Sequence, residues 1–166
     1  MIRPALPADV RTIRDLVEPL SQERILRPYE MVGYFEAVQE FLVATDGADP
    51  DGAVVGCGAL HVMWDDLAEV RTLAVHRDWR GRRVGHALLE ALVERARALG
   101  LRRVFCLTFE VDFFAAHGFR EIDGTPVTHE VYAELLRSYD EGVAEFLDLA
   151  RVKPNTLGNS RMLLEL

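Results

Sequence analysis

Cysteine is scarce: Cys57 and Cys106 are the only two in 166 residues, far apart and in no metal-ligand spacing. A disulfide scaffold is therefore not expected. The five histidines show no His-Glu-x-x-His or related spacing, so no zinc site and no other metal is expected. Cations are few, 19 Lys and Arg against 27 Asp and Glu, for a net charge of -8. Such a chain has no overall electrostatic footprint for nucleic acid or for an anionic membrane, and neither is expected as a partner. No apolar run approaches the roughly 20 residues of a membrane helix. The start, Met1-Ile2-Arg3-Pro4, lacks the basic-then-apolar order of a secretory signal. Aromatics make up 8% and fall at strand or helix spacing, as core residues rather than a base-stacking platform.

What is present is the composition of a globular enzyme: 49% apolar and 28% charged residues. The length fits one domain, 1–166, in the cytoplasm, with a small-molecule substrate and a homodimer among the assemblies to expect. Residues 1–6 read as an edge strand, since Pro4 suits an edge. Pro7-Ala8-Asp9 opens a helix, and Val10, Ile13, Leu16, Val17 and Leu20 recur at helical spacing behind it. A second short helix follows at 29–37. Strands are expected at 38–44, 54–64 and 67–75, parted by a turn cluster at 46–52 and by Asp65-Asp66, as an antiparallel meander. The period then changes. Val84, Leu88, Leu92 and Ala96 put a helix over 80–99, which Gly100 stops. Residues 101–109 are apolar on both faces, as in a central strand. A short helix at 111–117, a strand at 119–122, helix pattern over 128–149 broken near Asp140-Glu141-Gly142, a loop at 154–160 and a last strand at 161–166 complete a mixed α/β chain.

The most informative stretch runs from Leu73-Ala74-Val75 through Arg80-Gly81-Arg82-Arg83-Val84-Gly85-His86. A strand ends, a basic loop with glycines follows, and a long helix begins. The first turn of a helix leaves N–H groups unpaired at its positive end, and Gly81 and Gly85 let a ligand come close. Arg77, Arg80, Arg82 and Arg83 gather four cations there in an acidic protein. The combination suits a pyrophosphate. A solvated basic helix start is the other reading.

Arg80-Gly81-Arg82-Arg83-Val84-Gly85 resembles the acetyl-coenzyme A loop of the GNAT acyltransferases, whose pattern is Arg/Gln-x-x-Gly-x-Gly/Ala. Arg80 and Gly85 match its ends, and Arg83 stands where the family has its middle glycine. Phe113-Phe114-Ala115-Ala116-His117-Gly118-Phe119 is similar to the family's closing helix and Gly-Phe pair. With Glu40-Phe41-Leu42-Val43-Ala44, Val55-Gly56-Cys57-Gly58-Ala59-Leu60, the strand from Ala68 to Val75 and the tail from Gly158 to Leu164, the chain resembles the transferase domain of N-acetylglutamate synthases, in their short stand-alone actinobacterial form. The longer members carry an amino-acid-kinase-like domain in front, for which this length leaves no room.

The resemblance implies a GNAT fold, α/β (α+β), with a central mixed, mostly antiparallel sheet flanked by helices. It implies transfer of acetyl from acetyl-coenzyme A to the α-amine of glutamate or glutamine, the first step of arginine biosynthesis. Leu73, Ala74, Val75, the loop Arg80–His86 and Phe114 are then the coenzyme contacts. Glu69 is the candidate base, with Glu110 as the spare, and Thr108 the candidate hydroxyl for the leaving thiolate. The usual acid, a Tyr, is replaced by Phe114, which has no proton to give. Leu26, Arg27, Arg71, Lys153, Asn159 and Ser160 are the candidate substrate contacts, whereas Arg24 and Arg161 read as surface charge. Two other readings stay open: a GNAT enzyme for another amine, and a non-catalytic acyl-coenzyme A binding module.

Overall fold

The computed structural model describes residues 1–26 and 29–166. Seven strands form one mostly antiparallel sheet: β1 (Ile2–Pro4), β2 (Phe41–Thr45), β3 (Val54–Trp64), β4 (Leu67–Val75), β5 (Arg103–Thr108), β6 (Arg120–Glu121) and β7 (Ser160–Glu165). Their order is β1-β2-β3-β4-β5-β7-β6. The helices are α1 (Val10–Gln22), α2 (Met31–Glu36), α3 (Val84–Ala98), α4 (Val111–Ala115), α5 (His129–Leu135), α6 (Glu141–Phe146) and α7 (Lys153–Thr156). Two compact units are present, Met1–His61 with Val70–Gly100, and Val62–Glu69 with Leu101–Leu166.

In the first unit, β1 lies at the sheet edge and pairs antiparallel with β2. A single 3-10 turn at Pro7–Asp9 leads into α1, whose Val10, Ile13, Leu16 and Val17 are buried at helical spacing. Asp9 ties the entry down: its carboxylate accepts the Leu6 N–H at 2.7 Å and pairs with Arg3 at 2.7 Å. The Arg3 guanidinium holds the Asp9 carboxyl below its ordinary value. These α1 residues share a core with Tyr34, Phe41, Val43, Cys57 and Ala59. α3 buries Leu88, Leu89, Leu92, Val93 and Ala96, and Arg95 donates to the carbonyls of Gln39 and Glu40.

In the second unit, β5 is central. It pairs parallel with β4, Glu69 opposite Phe105, and antiparallel with β7, Thr108 opposite Ser160. Phe105 is fully buried against Phe146, ring centroids 4.9 Å apart and edge-on, among Leu67, Leu135, Val143 and Leu163. Truncating such a residue to alanine costs roughly 3–5 kcal/mol.

The structure corrects several expected boundaries. α3 begins at Val84 rather than Arg80, because Gly81 (φ 75°) and Arg83 (φ 62°) turn the backbone left-handed before the helix can start. Residues 38–40 form a 3-10 turn ahead of β2. Residues 154–156, expected as loop, belong to one helical turn, Lys153–Thr156, since Pro154 is tolerated where its missing N–H leaves no helix bond unmade. β7 lies between β5 and β6, a position that chain order does not reveal.

Candidate active site

β4 carries both candidate kinds of chemistry on one strand. Toward its start sits Glu69, and toward its end Leu73-Ala74-Val75 lead into the basic loop. Glu69 is 4% exposed, Arg71 9% and Thr108 8%. An ordinary surface glutamate on a strand would face water, so this carboxylate is placed at a desolvation cost that only bound partners offset. No positive φ separates Glu69 from Arg71, and the two share a face of the strand by alternation.

Thr72, next in line, has φ 55° and is 8% exposed. A β-branched residue in that region is strained by about 1–2 kcal/mol, and it kinks β4 just ahead of Leu73. No signal of this is present in the sequence, because Thr favours extended strand.

The loop after β4 makes a 3-10 turn at Arg77–Trp79. Arg80, Gly81, Arg82 and Arg83 are exposed, and the Arg82 guanidinium lies 4.9 Å from the centroid of the Trp79 ring. A Cβ at Gly81 would meet nothing within 4 Å, so the backbone there lies open. The left-handed φ of Arg83 explains the family pattern, which has glycine at this position because only glycine adopts that φ without strain. The first bond within α3 is donated by Ala87 N–H to the Arg83 carbonyl at 3.0 Å. The N–H groups just before it belong to the first turn of the helix, where the backbone has no carbonyl of its own helix to bond. Phe114, 6% exposed, is edge-on to Phe113 and Phe119, both at 5.2 Å.

In the second unit the register sorts the candidates by face. Glu69 stands opposite Phe105, Phe105 opposite Leu163, and Leu107 opposite Arg161, so these residues share one face. Thr108 and Ser160 are paired on the other face. Thr108 Oγ1 accepts the Glu110 N–H at 2.8 Å, which leaves its hydroxyl proton to donate elsewhere. Asn159 adjoins this pair, and its Oδ1 is buried with no hydrogen-bond partner. Leu26 is half-buried against the α1 core. Lys153 is exposed and pairs with Asp148 at 3.3 Å. Arg27 lies outside the described residues. Glu110 is exposed at the start of α4.

Arg161 is not the surface charge that its sequence setting suggests. Its guanidinium lies 5.0 Å from the centroid of the Phe105 ring and donates to the carbonyls of Gly124, Glu145 and Phe146. Burial pulls it below its ordinary value, and Asp148 and Glu69 oppose that shift. It is a cation on the face that carries Glu69, and only the β7 register makes it so.

Burial pushes the Cys57 thiol up to about 12 and the Cys106 thiol upward as well. Both are free and buried, which suits core residues and not nucleophiles. Among the described residues no group of three or more His, Cys, Asp or Glu could hold a metal ion. No helix among them is long and apolar enough to cross a membrane.

A strand that delivers a kinked backbone and a basic glycine loop onto a helix start is the architecture of a coenzyme A-dependent acyltransferase. Residues 10–121 match the model of the acetyltransferase (GNAT) family, and the chain belongs to that family. It is an acyltransferase. It is 57% identical over all 166 residues, and over 94% of the relative, to the amino-acid acetyltransferase of Mycobacterium tuberculosis. Its structure is similar to that of Rv2747 from Mycobacterium tuberculosis in complex with CoA and NLQ. There the TM-score is 0.95 at 57% identity, over 100% of this chain and 99% of that one. The fold is also that of an N-acetylglutamate synthase from Neisseria gonorrhoeae, complexed with coenzyme A and N-acetyl-glutamate. The TM-score there is 0.77 at 23% identity, over 100% of this chain and 35% of that longer one.

Proposed function

We propose that this protein transfers the acetyl group of acetyl-coenzyme A to the α-amine of L-glutamate or L-glutamine, the entry reaction of arginine biosynthesis, in the cytoplasm. The observation that carries the reading is Glu69: a carboxylate 4% exposed, on the strand that runs into the coenzyme loop. The whole chain acts as one catalytic domain, since the family match at 10–121 runs through both compact units. Two free thiols suit a reducing compartment. A homodimer belongs to the same reading, and the mass in solution tests it.

The pyrophosphate rests on the amides of Arg83–His86 at the start of α3, with Arg80 and Arg82 as exposed cations beside it. Backbone groups of Leu73–Val75 meet the acyl end, where one N–H polarises the thioester carbonyl. The amine arrives as an ammonium. Glu69 takes its proton, directly or through one water, and the free amine attacks the carbonyl carbon. The C–N bond forms in a tetrahedral intermediate and the nitrogen gives up its second proton; as the intermediate collapses the C–S bond breaks, and the thiolate takes up a proton through solvent to leave as coenzyme A. Thr108 donates a hydrogen bond to that sulfur, while Phe114 only packs. Glu69 and Thr108 lie on opposite faces of the sheet, so the base and the hydroxyl serve different groups, the amine nitrogen and the departing sulfur. Leu26, Arg27, Arg71, Lys153, Asn159 and Ser160 hold the amino acid, the arginines pairing with its carboxylates. The unpartnered Asn159 Oδ1 supports a polar ligand at the tail.

Thiol release from acetyl-coenzyme A across the twenty amino acids tests this. Release above background with glutamate or glutamine is expected. Release only with a different amine would move the enzyme to another acceptor, and coenzyme binding without release would make it a binding module.

A further inference from the structure

Glycine weakens a strand interior, yet β3 carries two, Gly56 and Gly58, flanking Cys57. A Cβ at Gly56 would lie 3.0 Å from Leu88 Cδ1, 3.2 Å from the Ala74 carbonyl oxygen and 3.2 Å from Val84 Cγ1. A Cβ at Gly58 would lie 2.9 Å from Leu92 Cδ1 and 3.0 Å from Leu73 Cδ1. Both glycines therefore face α3, and each clears space for one residue of β4, Ala74 or Leu73. Cys57 points to the other face, fully buried in the core with Tyr34 and Ala59. Its Sγ donates to the carbonyl of Thr72, 3.7 Å away. Thr72 is the buried, β-branched residue held at φ 55°. Strain of this kind persists only where its surroundings over-determine it. Here the surroundings are three consecutive residues of the neighbouring strand.

We propose that Gly56-Cys57-Gly58 is a positioning device: it holds the Thr72 kink of β4 and thereby sets the backbone of Leu73–Val75 that receives the acyl end of the coenzyme. The inference rests on the reading of Leu73–Val75 as coenzyme contacts. The two glycines admit the kinked strand, and the thiol anchors its carbonyl, so that the peptide after Thr72 presents its N–H in one direction. None of the three touches the coenzyme.

Steady-state kinetics and melting temperatures of Gly56→Ala, Cys57→Ala and Cys57→Ser test it. Gly56→Ala presses on the Ala74 carbonyl and is expected to raise the acetyl-coenzyme A KM roughly tenfold. Cys57→Ala removes the donor and is expected to raise it about three- to tenfold, the scale of one hydrogen bond. The amino-acid KM stays within about twofold of wild type in both, a difference of under ~0.5 kcal/mol. Cys57→Ser keeps a donor on the same Cβ but buries a hydroxyl in an apolar core. It is expected to melt below Cys57→Ala and yet to keep a lower coenzyme KM than Cys57→Ala. A merely structural role gives the opposite: KM values that track melting temperature, with Cys57→Ser worst. That ranking, equal shifts in both KM values, or unchanged KM values overturn the proposal. Should Gly56→Ala fail to fold, the Cys57 pair decides alone. Gly85→Asp, measured for coenzyme binding by calorimetry, separates the two levels. If it binds coenzyme normally, the coenzyme-loop reading falls. If it loses binding while the Cys57 variants stay silent, only the positioning role falls.

Discussion

The loop Arg80–Arg83 and the strands β4, β5 and β7 of the second unit present polar groups in contrary ways. In the loop four consecutive residues are exposed, three of them arginines, and the recognising groups are backbone N–H donors at a helix start. On the strands the polar side chains are nearly shut off from water, Glu69 at 4% and Thr108 at 8% exposure. A backbone site survives most side-chain changes, because the donors belong to every residue. Its cations act through water and are screened by salt. A buried carboxylate is the reverse. Its neighbours hold it in one geometry, its charge acts at low dielectric, and replacing it removes both charge and role. Substitutions in the two regions should therefore differ by orders of magnitude.

The largest effect is expected at Glu69. Glu69→Gln keeps the shape and removes the basicity, and loss of a general base costs ~10²–10⁴ in kcat. Coenzyme binding should stay within a few-fold, and raising the pH should restore part of the rate as more free amine becomes available. Wild-type kcat with an unchanged pH profile would transfer the role to Glu110 or to a water chain.

A smaller effect separates structure from chemistry. Asp9 is held below its ordinary value by Arg3, so its contribution to stability is complete above the unfolded carboxylate range and is lost as pH falls through the folded value. Asp9→Asn should cost stability at neutral pH on the order of 1–3 kcal/mol, seen as a lower melting temperature, and converge with wild type in acid. A pH-independent gap between the two melting curves would show that the pair carries no titrating stability. Kinetic constants at fixed neutral pH should not change.

The smallest effect is expected on the loop. Arg82 is exposed over Trp79, and Arg82→Ala should weaken coenzyme binding by at most about 1 kcal/mol at low salt. The difference should vanish in high salt. A large, salt-independent loss would mean that Arg82 is buried against the ligand, and the contrast between the two regions would fail there.

Local pattern was enough for much of the fold. The helical spacing of Val10, Ile13, Leu16 and Val17 appears as a buried face, and β3 and β4 run over the residues expected. These features depend on which residues lie one turn or two positions apart, and that separation is written in the chain itself. The start of α3 was misplaced because Arg83 adopts a left-handed φ without being glycine. The strained Thr72 was invisible for the same reason: side-chain type sets a preference, and neighbours can override it.

By itself the sequence determined that the chain is an α/β enzyme-sized protein, that a basic glycine loop opens its long helix, and that Glu69, Arg71 and Thr108 sit on strands beside apolar residues. Those conclusions follow from composition, periodicity and motif, all local quantities. Only the tertiary structure decided that these three side chains are buried, that Arg161 joins the face of Glu69 by the β7 register, and that Cys57 reaches the Thr72 carbonyl fifteen residues on. Such facts depend on which strands become neighbours. The insertion of β7 beside β5 brings residues more than fifty positions apart into hydrogen-bonded register, and long-range pairing of this kind leaves no period in the chain to read.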